Sequence, residues 1–462
     1  MSGSTFANEF SASVRLFLTN ATREPERQRK IQLGGSVQLL KDYTEDAIGL
    51  ESTSEAMSGY WNRNQRRLIL SLFVIALIEC VAAGFCRILP SAFIWHPDLA
   101  VARENWDALL PLVDDEVGGF RASEAKPNSE FPSGPSCGAA FGDSYVGGAE
   151  VADGQGWVEQ LSHLLGCRVT NYAVNNYGTD QAYLHFRRIR DVSPSVILGV
   201  NPNTVEDNVN QYDALLGSEL EPTALKGRFL FDRSHQLEWS PLPRLDADTF
   251  VALNRNPAKM LPNSYFLPDT PDGPVSLGFP YTGSLIRIAL RPRLHDVLLR
   301  RADWGALYLP DHPSGALNLM IAICEAFVES AKARGQRPFI IMLPLAASFR
   351  EKADRGQFEY APLVLALRDQ GIEVFDPGGA MLSSLGGRSP CEFFTRPQGN
   401  ALKAWLMSPM PCSGHYSIAG NTLIAQLVAT ELRRRTFFPI NLKSDSGGSN
   451  YDQVIHGPLN RP

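Results

Sequence analysis

The chain has no excess of positive charge, no internal repeat, and no cysteine or histidine cluster at metal-site spacing. Its 43 Lys and Arg against 49 Asp and Glu leave a formal net charge of −6. No basic field is therefore available to draw in a phosphate backbone, and nucleic acid is not an expected partner. The seven cysteines include no Cys-x-x-Cys pair, so a zinc site is not expected. No cofactor-binding pattern is present either. What the chain does have is a globular composition, 44% hydrophobic and 20% charged over 462 residues, enough for one large domain with appendages.

One segment stands apart. Leu68 to Phe85 reads LILSLFVIALIECVAAGF, an apolar run of bilayer-spanning length. Arg63, Arg66 and Arg67 crowd its amino-terminal side, whereas Arg87 is followed by little positive charge before Arg103. The positive-inside rule then places residues 1–65 in the cytoplasm and the chain beyond about Pro90 outside. Some 65 mostly polar residues precede the run, which does not suit a cleaved signal peptide. Glu79 is the misfit, because an acidic side chain within a span is costly unless protonated or paired. The alternative is a buried helix of a soluble protein.

The expected organisation is a flexible cytoplasmic tail over 1–65, a transmembrane helix over 66–89, a connector over 90–136, a main globular domain over 137–436 and a polar tail over 437–462. Within the domain, strand and helix patterns alternate. Strands are expected at Cys137–Phe141, Arg168–Val174, Val196–Val200, Pro338–Pro344 and Ile372–Phe375. Helices are expected at Gln155–Leu165, Gln181–Arg190, Ala316–Arg334, Ala361–Gln370 and Ser417–Arg435. Such alternation implies a parallel sheet covered by helices on both faces, an α/β fold. Residues from about 202 to 315 are proline-rich and too long for a simple loop, and read as an irregular insertion. Cys137, Cys167, Cys324, Cys391 and Cys412 would lie in an oxidising compartment, where pairing can occur and an odd number leaves one unpaired.

Two sites bear chemistry. The run Cys137–Phe141 ends in Gly142-Asp143-Ser144 shortly before a helix, putting a serine hydroxyl at the carboxyl end of a strand, where α/β sheets carry their sites. Backbone N–H groups at a helix start can stabilise an oxyanion there. A serine nucleophile needs a base. Of eight histidines, His415 alone sits in a Gly-containing turn directly before the last helix, with Ser417 as its N-cap. That turn can reach the same rim of a parallel sheet as Ser144.

With these residues in order, the chain resembles the SGNH (GDSL-type) hydrolase superfamily, particularly its membrane-anchored bacterial esterases and O-acyltransferases. The likeness rests on Phe141-Gly-Asp-Ser144, on Asn171-Tyr-Ala-Val-Asn-Asn-Tyr-Gly-Thr-Asp-Gln181, on Gly199-Val-Asn-Pro-Asn203 and on Gly414-His-Tyr-Ser-Ile-Ala-Gly-Asn421. It implies a three-layer α/β/α, flavodoxin-like sheet, Ser144 as nucleophile and His415 as base. It also implies an oxyanion hole made of the Ser144 N–H, an N–H near Asn176 or Gly178, and the side chain of Asn201 or Asn203, with a lean to Asn203.

The chain departs from that pattern at Asn176, which stands where the family has a glycine, and more consequentially before the histidine. Three residues before the histidine, where the family carries its acid, stands Cys412, for which a disulfide with Cys391 is one fate. Asp376, after the last strand, is the substitute acid to consider. The resemblance implies ester hydrolysis or acyl transfer on an acylated glycan or a small ester, by a single-pass protein of the bacterial inner membrane with its domain in the periplasm. The competing reading is a catalytically silent glycan-binding or assembly protein on the same scaffold.

Overall fold

The computed structural model describes residues 63–96, 117–118, 125–129, 131, 136–217, 224–396 and 410–437. Nearly all of the expected cytoplasmic and carboxyl-terminal tails, and most of the connector, lie outside these residues. Arg63–Ile88 is a continuous helix. Its stretch Gln65–Ile88 has a mean hydropathy of 2.5 and is almost wholly unburied, making it the one helix among the described residues long and apolar enough to cross a membrane.

The strands are β1 (Ile94–Trp95), β2 (Ser136–Phe141), β3 (Arg168–Asn171), β4 (Ser195–Val200), β5 (Arg228–Phe231), β6 (Leu237–Ser240), β7 (Val275–Ser276), β8 (Arg337–Met342) and β9 (Val374–Phe375). Five of them form one all-parallel sheet in the order β3-β2-β4-β8-β9. The chain starts in β2, steps out to β3, then returns past β2 to β4. Strand order reverses there, and open α/β sheets place ligands at the carboxyl ends of the strands beside such a reversal. Phe141 at the end of β2 is in register with Leu198 of β4, so the turns after β2 and β4 flank the crevice.

The sequence of β4, Ser-Val-Ile-Leu-Gly-Val, is buried at every position, as a central strand covered on both faces must be. Helices Trp157–Leu165, Thr179–Arg188, Ala316–Ala333, Ala361–Asp369 and Ile418–Arg434 supply the covering layers. Two further helices, Ala346–Arg355 and Gly378–Leu385, escaped the sequence reading because their apolar spacing is weak. The disulfide Cys137–Cys167 ties the start of β2 to the residue before β3.

The insertion is more regular than expected. It holds the antiparallel hairpin β5–β6, helices Ala247–Arg255, Tyr281–Ala289 and Pro292–Leu298, and β7, which pairs in parallel with β1. A buried ion pair fastens it to the sheet domain, Lys226 lying 2.5 Å from Asp180, and within the insertion Arg293 lies 2.9 Å from Asp303 and 3.5 Å from Glu206. Its prolines and short apolar runs hid these elements, which are stabilised by tertiary contacts more than by local propensity.

The crevice is shaped by a close approach. Val146, in the first turn after β2, packs onto Gly142 and Gly199, and a Cβ on either glycine would overlap its Cγ2. Gly199→Ala should therefore displace Val146 and destabilise the fold by about 1–3 kcal/mol, as overpacking does. Thermal unfolding of the full chain would read this as a lowered Tm.

Candidate active site

Asp143 caps a single helical turn, Ser144–Gly147, its carboxylate accepting from the Tyr145 N–H at 2.9 Å. Ser144 is the first residue of that turn, so its own N–H has no acceptor within the helix. Gly148 ends the turn at once with a left-handed backbone (φ 66°). Glu150 follows, also left-handed at φ 66°, a conformation that costs a non-glycine residue about 1–2 kcal/mol. The double reversal brings Glu150 back toward the Ser144 turn.

His415 arrives from the other end of the domain. Its turn is held by an antiparallel bridge between Tyr416 and Phe394. Beside that bridge the Thr395 N–H donates to the His415 carbonyl at 2.8 Å, and the Gly414 N–H to the Thr395 carbonyl at 3.0 Å. The disulfide Cys391–Cys412 clips the two segments together. Ser417 caps the last helix by accepting from the Gly420 N–H at 3.2 Å. Tyr145 spans the gap between the two halves: its hydroxyl donates to the Gly414 carbonyl at 3.0 Å, and its ring lies 4.9 Å from the imidazole, centroid to centroid.

The result is a Ser–His–Glu line. His415 Nε2 is 2.8 Å from Ser144 Oγ, and Nδ1 is 3.2 Å from Glu150 Oε1, at ion-pair distance though not aligned as a hydrogen bond. The other Glu150 oxygen accepts from the His415 backbone N–H at 3.2 Å and from the Thr395 hydroxyl. Burial works against the Glu150 charge, but the bonds from Thr395 and His415, with the nearby imidazole, outweigh it and hold the carboxyl below its ordinary pKa. A carboxylate so placed can fix the imidazole's tautomer and stabilise its protonated form.

Sequence reasoning missed Glu150. It sought the acid near the histidine, whereas this one follows the serine by six residues, and nothing in Gly147-Gly-Ala-Glu150 marks it. Asp376, the substitute considered, is engaged elsewhere: it accepts from the Tyr360 hydroxyl and the Gly378 N–H, each at 2.9 Å. Cys412, bonded to Cys391, is unavailable as an orienting group.

The oxyanion candidates separate. Asn201 is buried, and its amide donates to Asp143 Oδ2 at 3.0 Å. One hydrogen of that amide remains for another acceptor. Asn203, the side chain favoured by the sequence reading, is only half-buried at the start of the helix Thr204–Asn208. Its backbone N–H donates to the Asn201 side chain at 3.2 Å. The proline between them folds the turn so that Asn201, not Asn203, shares a carboxylate with the serine's turn. Asn176 has the left-handed backbone (φ 63°) expected where the family has glycine. Gly178 is extended, and its N–H is taken by the Gln181 side chain at 3.0 Å, which removes it as a free donor. Among the described residues no group of acids, histidines or cysteines could hold a metal ion.

No family model and no curated protein matches the chain. Solved structures do. A member of the lipolytic G-D-S-L family from Veillonella parvula is 12% identical, over 64% of this chain and 98% of that one, with a TM-score of 0.29. A protein assigned to the same family from Desulfitobacterium hafniense is 12% identical, over 63% and 97%, with a TM-score of 0.29. One assigned as an acylhydrolase from Bacteroides fragilis is 11% identical, over 73% and 98%, at 0.27.

Burial raises the pKa of Asp143 from 3.8 to about 6 despite its hydrogen bonds. With the folded value above the unfolded one, this group favours folding most below about pH 4, and the advantage is lost as pH rises to about 6. Asp143→Asn should remove that pH dependence. The stability difference between variant and wild type should then shift in the variant's favour by roughly 3 kcal/mol or less between pH 4 and 6, read by denaturant unfolding across that window.

Proposed function

We propose that the protein is a serine ester hydrolase or O-acyltransferase working through an acyl-Ser144 intermediate. The observation that carries this reading is the 2.8 Å approach of His415 Nε2 to Ser144 Oγ, with the Glu150 carboxylate at the opposite ring nitrogen. His415 takes the hydroxyl proton as Ser144 Oγ attacks the ester carbonyl. The tetrahedral oxyanion is held by the Ser144 N–H, the Asn201 amide and backbone at Asn176. Collapse expels the alcohol, which takes its proton from the imidazolium; water or an acceptor hydroxyl, deprotonated by His415, then attacks the acyl-enzyme. Each oxyanion donor contributes about 2.7–4 kcal/mol to such a transition state.

The substrate class proposed is an acyl ester on a glycan or cell-envelope polymer. The span Gln65–Ile88, with its arginines on the amino-terminal side, would tether the domain on the periplasmic face of a bacterial inner membrane. The silent-scaffold alternative drew on Cys412 and Asn176 replacing the usual aspartate and glycine. Glu150 at His415 Nδ1 and the left-handed backbone of Asn176 supply what those replacements take away.

Hydrolysis of p-nitrophenyl acetate by the full chain in detergent should fall to background in Ser144→Ala. Glu150→Gln should lower kcat by about 10²-fold or more, within the range general acid–base catalysis contributes, with KM little changed. Fluorophosphonate labelling that persists in Ser144→Ala, or equal rates in all three proteins, would sink the reading.

A further inference from the structure

Glu79 sits in the carboxyl-terminal half of the apolar helix, six residues before Phe85, where the apolar run ends. Its carboxylate is paired. Oε2 accepts from the backbone N–H of Tyr281 at 2.6 Å and more weakly from that of Thr282 at 3.4 Å, and Oε1 accepts from the Thr282 hydroxyl. These donors are the first turn of the nine-residue helix Tyr281–Ala289, whose free N–H groups and dipole suit a carboxylate. At 1.5 Å per residue, Glu79 lies up to about 9 Å below the level of Phe85. A segment of the insertion therefore meets the apolar helix at a depth that would be inside the hydrocarbon, rather than at its rim.

The surface of that segment matches such a position. Leu285, Ile288, Leu294 and Val297 pack in a small cluster with Cys86 and Ile94, apart from the main core. Further apolar side chains in or directly beside the same two helices are exposed: Phe279 79%, Ile286 62% and Leu290 72%, with Leu298 and Leu299 more than half exposed. A contiguous exposed apolar surface of this kind marks a site of contact with another apolar phase. Between Tyr281 and Arg301 the chain carries five arginines and one aspartate; Arg293 is matched by Asp303 and Glu206, and the half-exposed Arg287 by Asp269 at 3.0 Å. All of these arginines except Arg293 reach the surface at least in part. Exposed apolar side chains with flanking arginines are the pattern of helices that lie in a bilayer interface bearing anionic lipid.

We propose that the helices Tyr281–Ala289 and Pro292–Leu298 form a second membrane-seating element. They would be embedded in the non-cytoplasmic leaflet beside the apolar helix, with Phe279, Ile286 and Leu290 among the acyl chains and the surface arginines at anionic headgroups. This inference rests on the proposed membrane span, though not on the catalytic reading. It explains how an acidic residue is tolerated within the span: the insertion brings its own helix start into the leaflet to satisfy it.

The test uses the full chain with Cys80→Ser, reconstituted in vesicles of phosphatidylethanolamine and phosphatidylglycerol. An environment-sensitive fluorophore is attached in turn to Phe279→Cys, Leu290→Cys, Leu72→Cys within the span, and Val192→Cys, which is 95% exposed on the sheet domain. The labels at 279 and 290 should behave like that at 72, quenched by acyl-chain nitroxides and several-fold less than the label at 192 by aqueous iodide. Iodide access at 279 and 290 equal to that at 192, with 72 still lipid-quenched, overturns the seating element alone. Iodide access at 72 as well overturns the span and the seating element together. Shielding at 279 and 290 from both quenchers, growing with the protein-to-lipid ratio, would point to a second copy of the chain on this face and overturns the lipid assignment.

Discussion

The architecture of the site depends on one buried carboxylate at the point where strand order reverses. Asp143 accepts from the Tyr145 N–H on the β2 side and from the Asn201 amide on the β4 side. It thereby links the two turns that diverge around the crevice. A group that costs so much to desolvate stays in place only because both donors are fixed by the sheet beneath them. Val146 fills the space under the same turn, against Gly142 and Gly199, so the serine's position is set by packing from below and by hydrogen bonding from the side.

The second half of the site is joined to the first by aromatic and amide contacts rather than by chain connectivity. The Trp157 indole donates to the Tyr145 carbonyl at 2.9 Å, and the Trp157 N–H donates to the Asn421 side chain at 3.0 Å. The helix after the serine and the helix after the histidine are thus anchored to each other. Tyr416 adds a hydroxyl bond of 2.8 Å to the Pro344 carbonyl, just beyond the end of β8. The placement of the carboxylate beside His415 follows the same logic. Cys412 is committed to a covalent clip that holds the histidine turn, and the carboxylate comes from the serine's side, where Gly148 and the left-handed Glu150 reverse the chain.

Much of this was legible in the residues. Strand and helix alternation predicted the parallel sheet, because period and turn chemistry are local properties. The serine and histidine could be paired because each lies in a turn bordering a strand or helix that its own apolar pattern reveals. The insertion was not legible: its helices and hairpin are held by distant partners such as Asp180 for Lys226 and Glu79 for Thr282, which local patterns do not contain. Glu79, a misfit when read along the chain, becomes a satisfied group once a helix start 202 residues away is beside it.

By itself, then, the sequence determined the α/β class, the apolar helix, and a serine and a histidine that the fold brings to 2.8 Å, since each is written in a run of neighbouring residues. Only the tertiary structure decided which carboxylate faces His415, which asparagine stands beside Asp143, and that Gly178 has no N–H to offer. Those choices turn on side-chain directions over a few ångströms. Along the chain, a carboxylate 265 residues from the histidine has no more claim on it than any other acid, and only folding brings Glu150 within 3.2 Å of its ring.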